Sequence, residues 1–159
     1  MKFFMNFPVT NTSHTLAEYR TRFGYQALEK ALGMAPTDVT KEVSAAGLLG
    51  HGGAAFPAGR KWGVVKLGDG EPHYMCMNAD EGEPGTFKDR WLMECVPHMS
   101  LEGLIIGSYA LQGRHAFIYI RGEFDLALGH GGAVGIKDPL DDGLDFAAGL
   151  DVGRLGGHD

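Results

Sequence analysis

Two segments hold most of the residues able to do chemistry. The first is GLLGHGGAAFPAGRKW, from Gly47 to Trp62, and the second is NADEGEPGTFKDR, from Asn78 to Arg90. In the first, Gly50, Gly52, Gly53 and Gly59 remove side chains from a short stretch. The backbone can then turn through positive φ and lie against a flat or phosphorylated ligand. Lys61 follows with a point charge suited to a phosphate or an anionic ring. The spacing fits neither GxGxxG nor the P-loop, so a loop that simply needs several tight turns would look the same.

The second segment sets one amide, Asn78, and three carboxylates, Asp80, Glu81 and Glu83, immediately before Pro84-Gly85. Asp89 adds a fourth carboxylate, and such a group repels itself unless something uses it. Ribose hydroxyls, a nicotinamide carboxamide and the amide protons of a flavin ring are donors it could accept. On charge alone, an acidic solvated loop held by Lys88 and Arg90 is the better reading. Taken together, the two segments read as a nucleotide and flavin pocket.

The elements that must position them follow from periodicity. From Thr15 to Leu32, Leu16, Tyr19, Phe23, Ala27, Leu28 and Leu32 recur at near-helical spacing, interrupted around Gly24. Pro36 opens a helix through Val39 and Val43 to Ala46, with Gly47 as its stop. His73 to Met77 reads as a buried-type strand, which makes Cys76 a core residue. Pro97 to Gln112 reads as a helix with Leu101, Leu104, Ile105, Ser108 and Leu111 on one face and Gly113 at its end, and Cys95 lies near the start of this helical region. Ala116 to Ile120 is the next strand. Strand, ligand loop, helix and strand make a right-handed crossover of a parallel sheet, which presents ligands at the carboxyl edge of its strands. His98 has no second ligand at i+4 and reads as a local hydrogen-bonding residue rather than a metal ligand.

In order along the chain, these motifs carry a resemblance. The stretch from about Tyr19 to Phe124 resembles the flavoprotein subunit of respiratory complex I, the NADH-oxidising subunit of NADH:quinone oxidoreductase. Asn78 to Arg90 matches the family pattern letter for letter, and Pro97-His98 and the run Tyr119-Ile120-Arg121-Gly122-Glu123-Phe124 match as well. The glycine segment departs from it: Leu49 and His51 replace arginines, Ala55 a glycine, Ala58 a threonine and Arg60 a leucine, while Val64 stands where an aromatic is usual.

The resemblance implies an α/β fold, with N-terminal helices followed by an incomplete Rossmann-like parallel sheet with flanking helices. It implies hydride transfer from NADH to FMN, with electrons passed on to iron–sulfur clusters and quinone. Gly50, Gly52, Gly53, Phe56 and Gly59 would lie along the nucleotide, Lys61, Asn78 and Asp80 would contact FMN, and Glu81 and Glu83 would lie in or beside the NADH cavity. No residue is assigned as a general acid or base, because the cofactor carries the chemistry. Implied partners are the thioredoxin-like 2Fe-2S subunit and other subunits of the complex I peripheral arm. The implied location is cytoplasmic, peripheral to the inner membrane. Two alternatives stay open: a non-catalytic truncated fragment, and a diaphorase subunit of a soluble NAD-linked hydrogenase or formate dehydrogenase.

Composition bounds these readings. A chain of 159 residues suits one domain, and a formal charge of −6 argues against a nucleic-acid partner. No apolar run approaches the length of a membrane span, and MKFFMNF is too short for a secretory signal. Cys76 and Cys95 are the only cysteines, so the ligands of the family's 4Fe-4S cluster are absent here. Residues 1–18 read as an N-terminal extension and 19–124 as the first part of an FMN/NADH-binding domain. Residues 125–159 read as a divergent Gly/Asp-rich tail, disordered or frameshifted, and the chain as one unable to oxidise NADH alone.

Overall fold

The computed structural model describes residues 8–22 and 24–120; Phe23, the run Arg121 to Phe124 and the Gly/Asp-rich tail lie outside them. Helix α1 spans Leu16–Thr21, where the Thr15 hydroxyl caps the first turn by accepting the Glu18 N–H at 3.2 Å. The expected break at Gly24 is present, because a Cβ there would stand 2.2 Å from the Tyr19 ring. Helix α2 spans Gln26–Leu32, and α3 spans Pro36–Ala45 with proline in its first turn. Gly47 follows α3 at φ +64, the left-handed position that ends helices and suits glycine.

A short helix α4, Ala58–Trp62, leads to β1, His73–Ala79. Helices α5, Lys88–Cys95, and α6, Pro97–Ala110, then precede β2, Gly113–Ile120. The two strands pair in parallel, with Met75 opposite Ala116 and Ala79 opposite Ile120, so the fold is α/β as expected. The stop after α6 differs from expectation. Gln112 takes the left-handed turn at φ +53, and Gly113 already belongs to β2.

β1 is not a buried-type strand. Its side chains alternate, with Met75, Met77 and Ala79 on the packed face and Tyr74, Cys76 and Asn78 exposed. The packed face meets Leu104 and Ile105 of α6 and Tyr19, Tyr25 and Leu28 of the N-terminal helices in one core cluster. On the open face, Tyr74 stacks on His115 at 6.0 Å and lies 6.2 Å from Phe117. Cys76 is therefore exposed rather than core, because among the described residues helices cover only one side of the sheet. Cys95 ends α5 instead of opening a helix, and burial pushes its thiol above the usual range.

The expected α6 face is present, with Leu104, Ile105 and Ser108 buried, but it also buries Glu102. One Glu102 oxygen, Oε2, accepts the Tyr19 hydroxyl at 2.5 Å and the Tyr25 N–H at 3.0 Å; the other, Oε1, accepts the Leu28 N–H at 3.0 Å. A side chain of α6 thereby caps α2, whose own N-cap, Tyr25, sits at φ 67 with no side-chain cap bond. His98 lies against both tyrosine rings, with its Nδ1 2.8 Å from the Tyr25 hydroxyl. Burial, with Arg20 and His14 nearby, lowers the His98 pKa, which favours a neutral ring able to accept that hydroxyl proton.

Glu102→Ala leaves three donors without an acceptor and should cost about 3 kcal/mol, measured by urea unfolding. A second outcome concerns pH. Burial and the nearby Glu102 push the Tyr25 phenol from its ordinary value near 10 up to about 12. A proton held more tightly in the folded chain stabilises it while bound, so this contribution is full below about pH 10 and drains as pH rises toward 12. The urea midpoint should fall across that window and fall less in Tyr25→Phe; equal falls would remove Tyr25 as the source.

Candidate functional site

The glycine segment folds back on itself. Leu49 and Pro57 form an antiparallel bridge, the Gly50 N–H donates to the Phe56 carbonyl at 2.8 Å, and the Ala58 N–H donates to the Leu48 carbonyl at 2.8 Å. Residues 51–55 are thereby pinched into a loop, with Gly53 at φ +97 and Ala55 at φ +49. A Cβ at Gly52 or Gly53 would find no atom within 4 Å, so this backbone faces open space that a ligand can enter. A Cβ at Gly50 would stand 3.4 Å from the Phe56 carbonyl, in contact with it.

The segment is not turn-rich to its end, because its last residues form α4, and Lys61 stands exposed on that helix. Gly59 serves a different purpose from the loop glycines. It is buried, and a Cβ there would stand 2.2 Å from Ser44 Oγ and 2.6 Å from Ser44 backbone atoms of α3. Trp62, at the end of α4, lies over Gly107 of α6, where an added Cβ would be 3.2 Å from its ring and 2.7 Å from the Met75 methyl. The absence of a side chain at Gly107 thus lets α4, α6 and β1 meet.

The strand runs two residues further than expected, to Ala79, so Asn78 and Ala79 still belong to β1 and the loop begins at Asp80. Asn78 Oδ1 accepts the Asp80 N–H at 2.9 Å and turns the chain out of the strand. Glu81, at φ +52, reaches across the loop: its carboxylate accepts the Asp89 N–H at 2.8 Å and the Arg90 N–H at 3.1 Å. It supplies the cap that Phe87, at the start of α5, lacks. Lys88, Asp89 and Arg90 are accordingly the first turn of a helix and not the end of a loop.

These contacts resolve the self-repulsion expected of the carboxylates. Lys88 pairs with Asp89 at 2.6 Å, Arg90 with Glu94 at 2.9 Å, and Glu81 is engaged by backbone. Among the described residues, the carboxylates of Asp80 and Glu83 and the ammonium of Lys61 make no hydrogen bond or ion pair. Open glycine backbone, a free cation, free carboxylates and the spare amide of Asn78 make a donor and acceptor set that fits a phosphorylated ring system. Among the described residues, no three histidine, cysteine or acidic side chains are placed to hold a metal ion. No described helix is long and apolar enough to cross a membrane.

Both segments are mounted on α6, the glycine loop through Trp62 on Gly107 and the acidic segment through β1, with Met93 of α5 packed against Ala79. An open glycine loop beside a lysine-bearing helix, with unpaired carboxylates at the carboxyl edge of parallel strands, marks an α/β domain of the flavin- and nucleotide-binding class. Residues 43–131 match the model of the Nuo51 FMN-binding domain, and the chain belongs to that family.

Curated relatives agree, among them NADH-quinone oxidoreductase subunits F from several bacteria. The chain is 53% identical over 111 residues to the one in Streptomyces coelicolor, covering 70% of this chain and 25% of that protein. Against its counterpart in Aquifex aeolicus it is 50% identical over 70% of this chain and 26% of that one, and against the Escherichia coli protein 44% over 69% and 25%. It also resembles a solved NAD+-reducing nickel–iron hydrogenase in its H2-reduced state, at TM-score 0.56 and 38% identity, over 59% of this chain and 16% of that one. The chain thus spans about a quarter of the length of the curated relatives it matches.

Sequence reasoning missed Glu102, the capping role of Glu81 and the Trp62–Gly107 contact. The packing makes two glycines behave differently. Gly59→Ala should cost on the order of 2–3 kcal/mol, because the methyl meets backbone that cannot move aside. Gly52→Ala, in open space, should leave the thermal midpoint nearly unchanged. Equal midpoints for the two variants would show that α4 does not pack on α3 this closely in solution.

Proposed function

We propose that this chain is the N-terminal part of the NADH-oxidising flavoprotein subunit of an NADH:quinone oxidoreductase. In this reading residues 19–124 carry the first half of the FMN/NADH site, flanked by the extension 1–18 and the tail 125–159. The observation that carries it is the set of unpartnered groups, Lys61, Asp80 and Glu83, in a chain whose family binds FMN. Groups left without internal partners are available to a ligand.

Lys61 offers its ammonium to the flavin, and Asn78 and Asp80 offer an amide and a carboxylate to its polar edge. Gly50, Gly52 and Gly53 let the backbone approach, with Phe56 as an aromatic face. Glu83 presents a carboxylate to the nicotinamide nucleotide. Glu81 keeps its place in the site by holding the acidic segment closed on α5, and Gly59 by seating α4. FMN held by these residues would supply the redox chemistry, as hydride acceptor from NADH and electron donor toward iron–sulfur clusters and quinone. The residues here bind and orient and are not assigned a proton to move.

In the assembled enzyme the partners would be the thioredoxin-like 2Fe-2S subunit and other peripheral-arm subunits, on the cytoplasmic side of the inner membrane. A second reading, the diaphorase subunit of a soluble NAD-linked hydrogenase, is favoured by the likeness to the NAD+-reducing hydrogenase. Which subunits co-purify with the chain separates the two.

Titration of the purified chain with FMN, followed by flavin fluorescence, tests the binding half of this reading. Quenching is expected, and Lys61→Ala should weaken it by the worth of one charged contact, about 1.5–3 kcal/mol. A folded chain that leaves FMN fluorescence unchanged would overturn the proposal. In an intact relative, the Glu83→Gln equivalent should raise the KM for NADH, and an unchanged KM would remove Glu83 from the site.

A further inference from the structure

We infer that Arg60 is a specificity-determining residue of this site, a phosphate-recognising guanidinium that works together with the Phe56 ring on a nucleoside phosphate. The inference rests on the nucleotide-binding reading above and concerns a position where the family pattern carries leucine. Phe56 closes the glycine loop with its carbonyl, while the residue stays 49% exposed. A half-exposed aromatic on a pinned backbone is a platform for another ring.

The Arg60 guanidinium lies over that ring, 5.8 Å from its centre. A guanidinium held over an aromatic face keeps its N–H donors available to another partner. Arg22, Lys30, Lys41, Lys88 and Arg90 each pair with a carboxylate. Arg60 and its neighbour Lys61, like the separate Arg20, Lys66 and Arg114, have no such pair among the described residues, although the chain carries 20 acidic residues against 14 lysines and arginines. Two adjacent cations left unneutralised in an acidic protein, next to open glycine backbone, fit an anion that comes from outside. The fork of Arg60 can take two phosphate oxygens at once, which an ammonium cannot do. A ring on Phe56 and a phosphate on Arg60 together specify a nucleoside phosphate.

The test is calorimetric titration of the full chain with ADP and with adenosine. Wild type should prefer ADP. Arg60→Leu should lower ADP affinity about tenfold, leave adenosine affinity unchanged, and remove part of the salt dependence of ADP binding. Arg60→Lys should recover only part of the loss, because it keeps the charge without the fork. Arg60 is exposed, so the thermal midpoints should stay equal. If Arg60→Leu weakens ADP and adenosine alike, Arg60 acts only by ordering Phe56 and the phosphate contact is wrong. An unchanged ADP affinity overturns the inference alone, whereas a wild-type chain that binds neither probe overturns it together with the nucleotide reading.

Discussion

The buried carboxylate of Glu102 is the constraint on which the rest of the structure depends. A charge or a proton-bearing oxygen in this interior is costly unless every lone pair is used. Here a hydroxyl and two backbone N–H groups meet it. Because those donors come from α1, the α1–α2 turn and α2, one side chain on α6 fixes both N-terminal helices against the sheet layer. The tight turn at Gly24 and the left-handed backbone of Tyr25 follow from it, since the chain must bring the Tyr19 hydroxyl and two amides to one point.

With α6 held on one side by the N-terminal helices, its other contacts place the site. Gly107 admits Trp62, which sets α4 and hence Lys61, and close packing of Gly59 on Ser44 ties the same helix to α3. α6 also backs β1, from whose carboxyl end the acidic segment emerges. The two ligand-facing segments are thus positioned by small residues that allow close approach, with little secondary structure of their own. Such a site is precise because its supports are packed rather than because its loops are stiff.

The acidic segment shows how structural and ligand-facing carboxylates are divided. Glu81 is consumed by the amide groups of α5 and Asp89 by Lys88, which leaves Asp80 and Glu83 outward and unpaired. The segment would be unstable as four mutually repelling charges. It becomes a stable loop once a helix dipole and a lysine take half of them.

What the amino-acid sequence determined by itself was the α/β class, the N-terminal helices, α6 and the two strands in their order, and the two segments that carry chemistry, whereas α4 and α5 inside those segments were not legible in it. Those signals are local: helical and strand periodicity, a proline at a helix start, glycines in a loop, carboxylates within a few residues. The sequence also carried the family, since Asn78 to Arg90 matches its pattern throughout and residues 43–131 match the FMN-binding domain. Tertiary structure alone decided that Cys76 is exposed, that Gly59 packs while Gly52 faces open space, and that Glu81 caps a helix eight residues away. It also decided that Glu102, an acidic residue on an apolar face, belongs in the core. The physical reason is common to all four: burial depends on what covers a face, and hydrogen-bond satisfaction depends on which distant donors arrive there, and neither is written in the spacing of neighbouring residues.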